Sequence, residues 1–253
     1  MTKRTRKKEE ASIARIDYRD INIITISDLH IPYHHEDAFA FLEALKERFE
    51  PELVVNLGDF VDNHNISFHD SDPDLLSAGD ELKSAREYCQ ELEAIFPNMK
   101  VIGSNHGDLP ARKFLAHGLP KNMLKTQNDI YGVGAGWEFV DDFTIDTHSK
   151  YLPDMYFTHG IRVDALAVAR QRGQRVVQGH YHESFRVQYA GNPNTLLWGV
   201  NAGCLIDPKS LAYSYNKLNL NRPILGTCVI SKGLPILVPM ILNKNGRWIG
   251  ALV

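Results

Sequence analysis

The stretch Ile21-Asn22-Ile23-Ile24-Thr25-Ile26-Ser27-Asp28-Leu29-His30 decides the fold. Its β-branched run, Ile21–Ile26, reads as a buried strand. The run stops at two side chains able to bind a cation, Asp28 and His30. Two residues apart in extended chain, they lie on the same side. Next, Glu36–Phe49 reads as a helix, with Phe39, Leu42, Leu45 and Phe49 at helical spacing and Pro51 beyond its end.

The same unit then repeats along the chain. Leu53–Asn56 is a short strand that runs into Gly58-Asp59, and Gly79–Phe96 is a helix with an apolar stripe of Leu82, Ala85, Cys89, Leu92 and Phe96. Lys100–Ile102 leads into Gly103-Ser104-Asn105-His106. Met155–Thr158 ends at His159, and a helix over Asp164–Gln171 stops near Gly173. Arg175–Gln178 ends at Gly179-His180-Tyr181-His182. Alternating strands and helices predict a parallel sheet covered by helices, with chemistry on loops at the strands' carboxyl ends. Beyond residue 184 the texture changes. Phe185–Tyr189, Leu196–Val200, Leu225–Ser231 and Pro235–Leu242 read as strands separated by turn signals such as Asn245-Gly246. An α/β beginning and an all-β end predict an α/β fold of two facing mixed sheets flanked by helices, a four-layer α/β/β/α sandwich.

Composition narrows the setting. The chain has 253 residues, 43% of them hydrophobic, and a net charge of −3. That supports a sizeable core and gives no global pull toward a polyanion. Residues 1–15 read as a basic, flexible arm, with Lys3, Arg4, Arg6, Lys7 and Lys8 as a polyanion-binding alternative; the rest, 16–253, reads as one domain. No apolar stretch follows that arm, so it does not read as a secretory signal. Nothing is long and apolar enough to span a bilayer, and no membrane partner is expected. Cys89, Cys204 and Cys228 have no metal-site spacing; they fit buried hydrophobes in a reducing, cytoplasmic compartment.

Each donor named above has an ordinary competing reading. Asp28 and Asp59 could cap helices, and a lone histidine after a strand is more often a hydrogen-bonded residue than a ligand. The joint pattern weighs the other way, because carboxylate, amide and imidazole donors follow five successive strand-like runs. Asp28, His30, Asp59, Asn105, His159, His180 and His182 are enough donors for two divalent ions that share one carboxylate.

In order, the motifs are Asp28-Leu29-His30, Gly58-Asp59-Phe60-Val61-Asp62, Asn105-His106, His159 and Gly179-His180-Tyr181-His182. This series resembles the calcineurin-like metallophosphoesterases, whose pattern is Asp-x-His, Gly-Asp-x-x-Asp, Gly-Asn-His-Asp/Glu, His and Gly-His-x-His. A weaker echo of an Asn-Pro-Gly-Ser segment stands at Asn201-Ala202-Gly203-Cys204. The resemblance implies that Asp28, His30, Asp59 and His182 hold one metal, and Asp59, Asn105, His159 and His180 the other. It implies His106 as the catalytic group facing the leaving oxygen, oriented by Asp62. It implies hydrolysis of a phosphoester by a metal-bridging hydroxide, with two divalent ions, Mn²⁺ first and Fe, Zn or Ni as alternatives.

The chain departs from that pattern at three places. Ser104 stands where the family has Gly, and Gly107 where it has Asp or Glu, with Asp108 one place later. Asn63-His64 replaces the Arg-Gly of the phosphoprotein-phosphatase branch, which argues against that branch and makes Asn63 and His64 substrate-binding candidates. Residues 107–155 read as a specificity insertion carrying Arg112, a third candidate for substrate contact, and Lys113, Lys121 and Lys125. Within it, Gly132–Gly136 reads as a flexible turn, and Tyr131 and Trp137 as core residues rather than base-stacking ones. The acidic loop around His69, Asp70, Asp72 and Asp74 reads as solvated. The expected function is a phosphodiesterase acting on nucleotides or nucleic acid. The alternatives are a phosphomonoesterase on a small metabolite or nucleic-acid end, and a non-catalytic scaffold. Oligomeric state is not legible.

Overall fold

A computed structural model describes residues 12–67, 74–149, 151–210 and 222–252. Most of the basic arm and most of the acidic loop lie outside these residues. The strands are β1 (Ser12–Ala14), β2 (Asn22–Ile26), β3 (Leu53–Asn56), β4 (Met99–Ile102), β5 (Trp137–Val140), β6 (Phe143–Ile145), β7 (Met155–Thr158), β8 (Arg175–Gln178), β9 (Phe185–Gly191), β10 (Leu196–Ala202), β11 (Gly226–Ser231) and β12 (Leu234–Pro239). The helices are α1 (Ala38–Phe49), α2 (Ala78–Ile95), α3 (Leu109–Ala116), α4 (Gln127–Tyr131) and α5 (Ala165–Arg172).

Two six-stranded mixed sheets form, in the orders β12-β11-β2-β3-β4-β5 and β1-β6-β7-β8-β10-β9. In the first, β2 to β5 run parallel; in the second, β7, β8 and β10 do. Period-two alternation gives each strand two destinations. Ile23 of β2 and Val55 of β3 point into a core shared with Phe157, Val177 and Trp198 of the other sheet. Their neighbours Ile24, Ile26 and Val54 point away and pack with Phe41, Leu45, Leu92 and other residues of α1 and α2. Across the molecule, Tyr156 and Val176 pack against Leu166, Val168 and Ala169 of α5. The layers are therefore helices, sheet, sheet, helix, as the sequence predicts.

The helix boundaries follow from their ends. Ser77 accepts from the Asp80 amide at 3.2 Å and starts α2. Asp164 does the same for Ala167 at 3.0 Å and starts α5, and Gly173 ends it in a left-handed conformation.

The segment 107–155 contributes more than a loop. Its β5 completes one edge of the first sheet, and its β6 joins β1 to β7 in the second. Tyr131 and Trp137 are fully buried in the core, as expected. The glycine run between them is not a loose turn. A side chain at Gly136 would collide with the Pro97 carbonyl at 2.1 Å, and the Gly134 amide donates to Glu93 at 2.6 Å. The short strands β1, β5 and β6 were not legible in the sequence.

No helix among the described residues is long and apolar enough to cross a membrane. One close approach holds α5 to its sheet. A Cβ at Gly199 of β10 would lie 2.3 Å from the Ala165 carbonyl carbon and 2.4 Å from the Leu166 nitrogen. Gly199→Ala must push the first turn of α5 off the sheet and should cost roughly 1–3 kcal/mol. Urea unfolding measures it, and an unchanged midpoint would show that α5 docks with more slack.

Candidate metal centre

Pairing between β2 and β3 does not stop where the strands end. Leu57 donates to the Ile26 carbonyl at 2.7 Å, Asp28 to Gly58 at 3.3 Å, His30 to Asp59 at 2.8 Å and Ile31 to Phe60 at 2.9 Å. This continued ladder sets Asp28 and His30 beside Asp59. Five residues here have left-handed backbones: Asp28 (φ 50°), His30 (52°), Asp59 (45°), Asn63 (53°) and His180 (70°). Such conformations cost a non-glycine residue about 1–2 kcal/mol each and turn side chains in directions an extended strand cannot.

Asp28 is fully buried, and each oxygen has its own task. Oδ2 accepts from the Ser27 hydroxyl and from the His180 amide at 2.9 Å. Oδ1 faces His182 Nε2 at 3.0 Å and His30 Nε2 at 4.0 Å. Gly179 makes this approach feasible, since a Cβ there would sit 2.1 Å from Ser27 Oγ. Asp59 divides its oxygens in the same way. Oδ1 accepts from the His106 amide at 3.0 Å. Oδ2 faces His159 Nε2 at 3.2 Å and His30 Nε2 at 3.8 Å. Asn105 Oδ1 completes that end, 2.7 Å from His159 Nε2, with His180 Nδ1 3.1 Å from the same nitrogen.

The second nitrogens of two histidines are spoken for. His159 Nδ1 donates to the Leu57 carbonyl at 2.9 Å, and His30 Nδ1 lies 2.6 Å from Asp62 Oδ1. Each leaves Nε2 turned toward the carboxylates, the usual arrangement of a metal-binding imidazole. Asp62 also receives His106, whose Nδ1 is 2.6 Å from the Asp62 carbonyl and 3.2 Å from its Oδ1. Asp62 thus orients His30 as well as His106, a double role the motif alone does not reveal.

Electrostatics follow from the crowding. Burial alone would raise the Asp28, Asp59 and Asp62 carboxyls, but facing imidazoles outweigh it and all three are lowered. Conversely, burial would lower His106 and His159, yet Asp62 and Asp59 raise each to about 9. His182 is raised as well, with Asp28 overcoming its burial, while burial and neighbouring His159 lower His180.

The donors fit divalent ions. Three groups place one ligand atom per residue within 4.8 Å of one another: Asp28, His30 and His182; Asp59, His159 and His180; and His30, Asp59 and His106. His30 Nε2 faces His182 Nε2 at 3.3 Å, a contact of two basic nitrogens that a shared cation would reconcile. All donors are nitrogen or oxygen, the set that suits Mn, Fe, Zn or Ni. Asn105 and His180 are exposed and Asp28, His30 and Asp59 buried, so the centre opens on the Asn105–His180 side.

The substrate candidates fall in different places. Asn63 Nδ2 donates to the His106 carbonyl at 3.1 Å and to the Tyr131 hydroxyl at 2.9 Å, which ties the His106 loop to α4. His64 is buried, its Nδ1 3.8 Å from Asp62 Oδ2, and its amide donates to buried Glu81 at 2.8 Å. Arg112 is exposed and donates to the Asn105 carbonyl at 3.3 Å, at the open side. Sequence reasoning missed Ser27 and Glu81, which no pattern marks. It treated Ser104 only as an irregularity, whereas Ser104 Oγ accepts from the Asp59 amide at 2.8 Å and the Gly107 amide at 3.1 Å.

No protein-family model and no curated protein matches the chain. Solved structures do. Vps29 from Chaetomium thermophilum is 14% identical, over 94% of this chain and 95% of that one, with a TM-score of 0.44. Wild-type Vps29 from Entamoeba histolytica complexed with zinc is 13% identical, over 86% and 91%, at 0.44. Nuclease MPE from Pseudomonas putida is 13% identical, over 85% and 86%, at 0.34. In this chain two six-stranded sheets face each other, and donors from both converge at their carboxyl edge in the order of the motifs. The fold is the four-layer sandwich of two facing mixed sheets that the sequence predicts.

Within that sandwich the two departures of the third motif explain each other. A Cβ at Gly107 would stand 2.9 Å from Ser104 Oγ, so the hydroxyl at 104 needs the glycine at 107. Gly107→Ala and Ser104→Gly should each destabilise the protein, and the double variant by about 1 kcal/mol less than their sum. Strict additivity in a denaturation cycle would contradict the coupling.

Metal binding should also move protons. A ligand imidazole must be neutral, and His159 without metal holds its proton up to about 9. Affinity should therefore rise with pH up to that value. At pH 7 roughly one proton should leave as the ion enters the Asp59–His159–His180 group. Titration calorimetry in buffers of different ionisation enthalpy reads that number, and identical heats would exclude the release.

Proposed function

We propose that the protein is a binuclear, metal-dependent phosphodiesterase acting on nucleotides or nucleic acid, with Mn²⁺ as its first metal. One observation carries the reading: Asp59 Oδ2 faces His30 on one side and His159 on the other. Asp59 would serve two ions there: Asp28, His30 and His182 would hold one with it, and Asn105, His159 and His180 the other. Divalent ions at such a centre supply Lewis acidity toward phosphoryl oxygens and make water acidic enough to serve as nucleophile.

The chain's own residues do the rest. Asp62 fixes the His30 and His106 rings, and the Asn63–Tyr131 tie holds the His106 backbone. With His106 Nδ1 committed to the Asp62 carbonyl, Nε2 remains to meet the leaving oxygen. Protonated there, it can hand over a proton as the ester bond breaks. A diester is favoured over a monoester by charge. Asn63 is tied to protein atoms and His64 is buried, so neither supplies the extra cationic grip that a dianionic monoester calls for. Exposed Arg112 suits a substrate that extends beyond the reacting phosphate. Three buried free cysteines agree with a cytoplasmic setting.

Metal-stripped protein reconstituted with Mn²⁺, Fe²⁺, Zn²⁺ or Ni²⁺ should hydrolyse bis-p-nitrophenyl phosphate in preference to p-nitrophenyl phosphate. A preference for the monoester would replace the diesterase reading, and no turnover with any metal would favour a scaffold. His106→Ala should keep its metals and lose about 10²–10⁴-fold in turnover. Full activity at wild-type metal content would remove His106 from the chemistry.

A further inference from the structure

The open side of the centre carries a feature the metal site does not need. After His159 the chain presents Ile161, Arg162 and Val163 in succession, all exposed, the two apolar ones at 50% and 47%. Exposed apolar side chains on a loop usually accompany a loose backbone. Here the backbone is held from below. Fully buried Gln178 donates to the Arg162 carbonyl at 2.6 Å, and its Oε1 accepts from the Ile161 amide at 3.4 Å. Buried Asn201 donates to the Val163 carbonyl at 2.8 Å, and Gln178 and Asn201 are bonded to each other at 2.7 Å. Arg186 donates to the same Val163 carbonyl at 3.1 Å. Three solvent-facing side chains thus stand on a pinned ledge beside the metal-binding histidines.

Tyr181 forms the inner wall of that ledge. Its ring lies edge-on to His180, with centroids 5.0 Å apart. It passes so close to Gly160 that a Cβ there would be 3.3 Å from Tyr181 Cε2. The Arg162 guanidinium is within electrostatic reach of the Tyr181 phenol and makes no hydrogen bond or ion pair with any described residue. Ring, cation and flanking apolar side chains make a surface on which a flat, π-rich group can stack.

We infer that Tyr181 and the Ile161–Val163 ledge recognise the nucleoside next to the scissile phosphate, so that the substrate is a nucleotidyl diester whose base stacks on Tyr181 under Arg162. The inference rests on the phosphodiesterase reading for its reaction, but its binding half can be tested without turnover. The ledge sits on the exposed Asn105–His180 side, where a phosphate at the buried carboxylates would present its ester substituent. Arg112, bonded to Asn105 on the same side, is placed to meet a further phosphate of a longer strand.

The test compares two diesters with the same leaving group, thymidine 5′-p-nitrophenyl phosphate and methyl p-nitrophenyl phosphate. The ratio of their kcat/KM values isolates the nucleoside. Tyr181→Ala and Arg162→Ala should each lower that ratio about tenfold, as expected for loss of stacking at one base. Tyr181→Phe, which keeps the ring, should restore most of it. Arg170→Ala, on the exposed face of α5, should leave it unchanged. A ratio unmoved by Tyr181→Ala overturns the inference. If neither ester is cleaved by wild type, the phosphodiesterase reading fails. The inference is then decided by fluorescence anisotropy of fluorescein-labelled oligothymidylate with metal-free protein. Wild type should bind, and Tyr181→Ala and Arg162→Ala should weaken binding about tenfold. No binding by wild type, or equal binding by the variants, overturns it. Circular dichroism and melting of each variant separate lost contact from lost fold.

Discussion

The Asp59 carboxylate is the constraint around which the rest is arranged. It is 1% exposed, and ionised carboxylates are costly to bury unless charge and hydrogen bonds compensate. Compensation comes from both sheets at once. His30 reaches it from the end of β2, the His106 amide from beyond β4, and His159 from the end of β7 in the opposite sheet. Asp28 presents the same demand one strand over and is met by His182, Ser27 and the His180 amide. Remove either carboxylate and several imidazoles are left facing one another. Remove the imidazoles and two buried anions remain. The sandwich is the scaffold that makes these demands mutually satisfiable, because the carboxyl ends of its parallel strands from both sheets open on one edge.

That convergence has a conformational cost, and the structure shows where it is offset. Five residues of the centre are in left-handed conformations that only glycine adopts freely. They persist because the backbone around them is over-determined. The ladder that continues beyond β2 and β3 fixes Asp28, His30 and Asp59, and the Leu205 amide takes the Asp28 carbonyl at 3.1 Å. Strain at a functional site is held by surrounding hydrogen bonds rather than relaxed. The ledge at Ile161–Val163 follows the same logic: buried Gln178 and Asn201 do for that loop what the ladder does for the first two motifs.

Much of this was legible in the sequence, for a physical reason. Strands such as Leu53–Asn56, Met155–Thr158 and Arg175–Gln178 are buried on both faces, so they read as short apolar runs closed by polar donors. The donors themselves are chemically rare at such positions, which is why their recurrence was informative. What stayed hidden has a different character. β1 and β6 have only three residues each, and β5 begins at a tryptophan behind a glycine run, so no period can build up. The roles of Asn63, Glu81 and Gln178 depend on partners between 16 and 68 residues distant, and that of Ser27 on which oxygen of its neighbour Asp28 is free. Asn63 is the clearest case. Its position after Asp62 suggested substrate, but its amide is committed to His106 and Tyr131. Composition cannot show that commitment, because Tyr131 is brought to it by α4, an element of only five residues.

The third motif shows what a family pattern constrains. Read letter by letter, Ser104 and Gly107 are two departures, and each alone weakens the resemblance. In space they occupy one small volume. The Ser104 hydroxyl fills it and accepts two amides, one from Asp59 itself, and Gly107 stays bare because a Cβ would press on that hydroxyl. A glycine at 104 would leave room for a side chain at 107; a serine at 104 does not. The constraint therefore acts on the packing behind Asn105 and His106, not on either letter. A loop that keeps the Asp59 amide bonded and the His106 ring on Asp62 can be built in more than one way, and this chain has taken one in which a single hydroxyl does the work of both substitutions.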